Sequence, residues 1–170
     1  MLRKRVLILT ILLVAVSSIS VRAGIDDCYP DGSMLLLSTS VAQLGELKVD
    51  PLNPQFEYFE VTNGLTVLFY PRSSRWQVVM SGSDFRSGVE SIPLEQLEWK
   101  KDGEKYKKMP SSGRDVVLAK SQQDKADEAD QEGRNIPRLH YFDLSFRLVL
   151  KGVEVPGRYG NTMIISMVFP

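Results

Sequence analysis

The stretch YFDLSFRLVLKGVEVPGRYGNTMIISMVF, residues 141–169, decides the fold. Phe142, Leu144, Phe146, Leu148 and Leu150 recur at every second position, with Asp143, Ser145 and Arg147 between them. A period of two sorts residues onto the two faces of an extended strand, because successive Cβ atoms leave the pleat on opposite sides. Pro156-Gly157 then marks a turn. Beyond it, Tyr159, Asn161, Met163, Ile165, Met167 and Phe169 form a second alternating row, with Thr162, Ile164, Ser166 and Val168 opposite. That strand is apolar on much of both faces, as expected inside a sheet.

Working outward, the same short period recurs between turn residues. Val116–Ala119 reads as a strand. Leu97 and Trp99 alternate with Glu98 and Lys100 before an Asp102-Gly103 hairpin turn, and Tyr106 starts the return. Trp76, Val78 and Met80 form another row. Leu65, Val67 and Phe69 follow an Asn63-Gly64 turn signal, and Ser33–Val41 is the first strand of the domain. Strands at turn-punctuated intervals without crossover helices predict an all-β fold, an antiparallel two-sheet β-sandwich spanning residues 33–170. Lys120–Arg134 interrupts it. Its apolar residues are Ala126 and Ala129, so it is expected as a polar surface insert, with Lys120 and Asp124 spaced to support a helical turn.

Residues 1–23 read as a secretory signal peptide. Arg3, Lys4 and Arg5 are followed by the apolar run Val6–Val16 and the small-residue pattern Val21-Arg22-Ala23, with cleavage expected before Gly24. The run is shorter than the roughly 20 residues of a membrane span, so membrane contact is expected only through an uncleaved segment. Asp26 and Asp27 precede Cys28, which speaks against lipidation. Residues 24–32 would form a flexible N-terminal segment in which Cys28, the single cysteine, is either free or an intermolecular thiol.

The whole chain holds 21 basic and 21 acidic side chains. Arg3, Lys4, Arg5 and Arg22 fall in the leader, so the remaining 147 residues carry 17 basic against 21 acidic groups, a net charge of −4. A mildly acidic domain does not offer the concentrated positive field that nucleic acid requires. A single cysteine excludes an internal disulfide and a cysteine-based zinc site.

Three passages carry a resemblance: LLLSTSVAQLGEL (residues 35–47), WQVVMSGSDFRSGVESIPLEQLEWKKDGEKYKKM (76–109) and the closing stretch quoted above. The order of a Trp-led strand, Ser83-Asp84-Phe85, Ile92-Pro93 leading to Leu97-Glu98-Trp99, and a last strand pair joined through Pro156-Gly157-Arg158-Tyr159 resembles exported Ig-like or pilin-like sandwich proteins of the bacterial cell envelope. WxL-type surface domains and spore-coat-type domains are similar in layout. The C-terminal strand is also similar to that of chaperone–usher pilin subunits, with Phe169 penultimate and Gly157 fourteenth from the end. The resemblance implies strand donation as one mode of assembly. In that mode Gly157, Tyr159, Met163, Ile165, Met167 and Phe169 would pair with a strand from elsewhere.

No catalytic, cofactor or metal site is expected. His140 is the only histidine, no G-x-S-x-G occurs, and it reads as a strand-edge residue. Glu95, Glu98, Asp84 and Asp143 are available for glycoside hydrolysis, but no spacing selects a pair. Asp124, Asp127, Asp130 and Glu132 stand too far apart for a calcium loop and read as solvated charge. Among the aromatics, Trp76 and Trp99 are expected in the core, leaving Tyr106 and Tyr141 for a carbohydrate-binding platform. Lys100, Lys101, Lys105, Lys107 and Lys108 surround the hairpin turn, where lysines guard an edge or touch an anionic envelope polymer. The expectation is a non-enzymatic exported module, periplasmic, surface-bound or secreted. Its partner would be a protein, a second copy of itself or an envelope polysaccharide.

Overall fold

The computed structural model describes residues 18–22, 32–121 and 139–169. Within them thirteen strands follow in order: β1 (Ser18–Arg22), β2 (Met34–Leu37), β3 (Val41–Gln43), β4 (Leu47–Asp50), β5 (Asn53–Tyr70), β6 (Gln77–Gly82), β7 (Phe85–Ser87), β8 (Glu90–Ile92), β9 (Leu97–Lys101), β10 (Lys107–Lys108), β11 (Val116–Lys120), β12 (His140–Leu150) and β13 (Gly160–Val168). The one helical element among the described residues is a 3₁₀ turn at Leu94–Gln96. The all-β two-sheet sandwich is thus the fold.

The first sheet runs β11-β6-β13-β1-β3, with β7 and β8 attached beside β13; the second runs β10-β9-β12-β5-β2, with β4 also on β5. Pairing is antiparallel throughout except between β1 and β13, which run parallel. The inner faces meet over one core. Leu65, Val67 and Phe69 of β5, Leu144, Phe146 and Leu148 of β12, and Leu97 and Trp99 of β9 come from one sheet. Val78 and Met80 of β6, and Met163, Ile165 and Met167 of β13, come from the other. These are the alternating rows of the sequence, because each row is what removes apolar surface from water when two pleated layers stack.

Two local expectations are corrected. Asn63-Gly64 is a turn signal, yet the chain does not reverse there: β5 continues through it for 18 residues. Asn63 takes a positive φ of 50° inside the strand, and the register against β12 shifts between Leu144 and Phe146. The result is a β-bulge. Ser145, buried on β12, accepts a hydrogen bond at Oγ from the Asn63 backbone N–H (3.0 Å). The residue types that favour a tight turn also favour a left-handed bulge, and only the partner strand decides between them.

Ser33–Val41, expected as one strand, is divided between the sheets. Met34–Leu37 pairs with β5, and Val41–Gln43 pairs with β1. Ser38–Ser40 carries the crossing: Thr39 Oγ1 accepts from the Val41 N–H and donates to the Val41 carbonyl, while Ser38 Oγ accepts from the Thr66 N–H. Short hydroxyl side chains satisfy backbone groups that the ladder leaves at such a bend. Of the polar insert, Lys120 ends β11, and residues 122–134, with Asp124, Asp127, Asp130 and Glu132, lie outside the described residues, as does Cys28.

Candidate functional site

Three surfaces were open to function: the closing strand, the outer face of the second sheet, and the loops at the sandwich ends. On the closing strand, Met163, Ile165 and Met167 are buried in the core, and Tyr159 is buried just before β13, its hydroxyl donating to the Val155 carbonyl (2.7 Å). Gly157 is exposed in the preceding loop, where a Cβ would come within 2.8 Å of Ser87 Oγ. Phe169 follows the strand, partly exposed. The structure therefore brings three of the six named strand-pairing residues, Met163, Ile165 and Met167, onto an interior strand. β13 is flanked by β6 and β7 on one side and by β1 on the other.

On the outer face of the second sheet, the charges answer one another. Arg147 of β12 lies in register with Glu60 of β5 and Glu98 of β9. Its Nε and Nη2 both reach Glu98 Oε2 at 2.6 Å. Its guanidinium stacks 4.2 Å from the Tyr106 ring centroid and within 5.6 Å of those of Phe56 and Tyr58. Tyr106 donates to Glu60 Oε1 (2.7 Å), and Lys48 donates to Glu60 Oε2 (2.9 Å). Burial pushes the Glu60 carboxyl up, but the bonds from Lys48 and Tyr106 outweigh it and hold the group below its ordinary value. The Tyr106 hydroxyl is pushed above its ordinary range by burial and then by the carboxylate it serves.

This network pins the β9–β10 hairpin against the sheet and leaves little of itself to a ligand. Tyr106 is half-buried under Lys100, whose Nζ sits 4.7 Å over the ring. Lys101 and Lys107 both pair with Glu104. Trp99 is buried, Trp76 packs on the core edge, and Tyr141 is the candidate platform aromatic that stands exposed. His140 stacks on Phe69, ring centroids 5.1 Å apart, beside Trp76. Of the four candidate carboxylates, three hold structure: Asp84 accepts from the Leu94 N–H, Asp143 from Thr66 Oγ1 and Glu98 from Arg147, while Glu95 stands exposed on the 3₁₀ turn. No group of His, Cys, Asp and Glu among the described residues is placed to hold a metal ion.

The third surface was missed from sequence. The β12–β5 register, ending at Leu150 opposite Glu57, puts the start of β5 and the end of β12 at the same end of the sandwich. The Lys151–Tyr159 loop returns there against β7, through Gly157 and Ser87. Three loops thereby share one end, and they carry apolar side chains turned to water: Leu52 (96% exposed), Val89 (95%), Val153 (81%) and Val155 (48%). The frame beneath them is firm. Glu154 accepts from the Lys151 and Val153 N–H groups and from Gln96 Nε2, which also donates to the Val149 carbonyl. Isolated apolar residues in loops are ordinary; here three loops at one end of the sandwich each present at least one.

Neither a family model, a curated protein nor a solved structure matches the chain.

Proposed function

We propose that this protein is a non-enzymatic, exported module of the cell envelope, a sandwich of the Ig-like or pilin-like kind that holds a partner protein on the loops at one end. The observation that carries this is the apolar set Leu52, Val89 and Val153, exposed on three loops over a hydrogen-bonded frame. Exposed valine and leucine on several loops at one end point to a contact site more than a single such residue does, and loops on a rigid sandwich are where such folds place recognition. The charged face does not compete for this role, because its carboxylates and guanidinium are already paired to one another. The leader supports export.

The test is a triple variant, Leu52→Ser, Val89→Ser and Val153→Ser. The expected result is an unchanged melting temperature together with lost association, read as self-association by sedimentation velocity over a dilution series and as retention on isolated envelope fractions. Binding and melting both unchanged would overturn the assignment to this end. Retention on wall polysaccharide stripped of protein would favour a polymer as the partner.

A further inference from the structure

Strand β1 lies within the segment that reads as a leader ending at Ala23, yet its position in the fold is interior. Ser18–Arg22 pairs with β13 from Ser18↔Gly160 to Arg22↔Ile164, and with β3 from Ser18↔Gln43 to Ser20↔Val41. Its register is not arbitrary. Ile19 stands opposite Ala42 and Asn161, and Val21 opposite Met163; those three partners are buried. Ser20 stands opposite Val41 and Thr162, and Arg22 opposite Ile164, on the exposed row. Directly opposed positions belong to one row of the sheet, so Ile19 and Val21 stand in register with buried partners and Ser20 and Arg22 with exposed ones.

A segment discarded during export has no reason to match the pattern of the domain it leaves. A cut after Ala23 would also remove the strand that joins β13 to β3. Two unpaired strand edges would then face each other over Ala42, Asn161 and Met163. The sequence holds a second small-residue site. Ala15-Val16-Ser17 has small side chains at its first and third positions, closes the apolar run, and ends immediately before pairing begins at Ser18.

We propose that export processing cuts after Ser17, that the mature chain begins at Ser18, and that Ser18–Arg22 is a permanent strand of the first sheet. This rests on the exported reading above. One consequence is that each chain closes its own seam, so the free side of β13 is not offered to a donated strand.

The test is to express the full chain with its own N-terminus in a bacterial host and take the exported protein for intact mass and N-terminal sequencing. The expected N-terminus is Ser18-Ile19-Ser20. An N-terminus at Gly24, or an exported chain that keeps Met1, overturns the proposal while leaving export intact. A chain retained whole in the cytoplasm overturns both. Two variants locate the site: Ser17→Leu is expected to block processing, and Ala23→Leu to leave the cut where it was. The reverse pattern overturns the assignment.

Discussion

Ser145 and Arg147 lie two positions apart on β12 and do different work. Ser145 is buried at the bulge and takes the Asn63 N–H. Ser145→Ala removes the acceptor and leaves the donor poorly paired, so the expected loss is about 1 kcal/mol, read as a lower urea midpoint with an unchanged slope. Arg147 is the counter-ion of Glu98, which is itself buried. Arg147→Ala strands that carboxylate and is expected to cost about 3 kcal/mol by the same measurement. Arg147→Lys keeps the charge but loses the planar stack on Tyr106, and should fall between the two. Trp99 differs again: its indole N–H is buried without a hydrogen-bond partner. Trp99→Phe relieves an unpaired donor while opening a small void, so the net change is expected to stay within about 1 kcal/mol. Leu97→Ala in the same strand should cost about 3 kcal/mol, since it empties core volume and relieves nothing.

At the level of the element, β5 runs for 18 residues with β12 on one side and β4 and β2 in turn on the other, and the bulge at Asn63 lets it bend without ending. Gly64 sits in that bend, where an added Cβ would lie 2.7 and 2.8 Å from the two Val61 methyl carbons. Gly64→Ala is therefore expected to lower the melting temperature, and Val61→Ala in the same chain to recover part of the loss. The recovery is a non-additive coupling that a double-mutant cycle would show. Gly103 makes a contrast. Its φ is 74° with nothing near a Cβ, so Gly103→Ala carries only the backbone cost of a left-handed L-residue, about 1 kcal/mol. The alternation of Leu65, Val67 and Phe69 was legible because a half-buried strand must alternate. The bulge was not, because Asn-Gly serves a turn and a bulge equally well and the choice belongs to Ser145, 82 residues away.

Across the whole molecule, acid stability should follow the bridging carboxylates. Burial raises Glu60 and Glu154, but hydrogen bonds win in both and hold them below 4.5; Glu104 is lowered first by its bond from Lys107. A carboxyl whose folded value lies below its unfolded value contributes stability that is fully present above the unfolded value and is lost as pH falls through the folded one. Stability is thus expected to hold down to about pH 5 and then to decline through and below pH 4.5, measured by chemical denaturation at stepped pH. Glu60→Gln should be less stable at neutral pH and show a shallower acid decline, because the group that gains the proton is gone.

Alternating rows in residues 142–169 were enough to predict strands, two layers and a single core, since period two is a property of the chain and burying one face is what stacked layers do. Neighbourhood was another matter. Backbone hydrogen bonds between strands are nearly blind to side chains, so what lies beside what was decided only when distant rows packed together. That packing split Ser33–Val41 between the sheets. It gathered Leu52, Val89 and Val153 at one end. It also drew Ser18–Arg22, a piece of apparent leader, between β13 and β3.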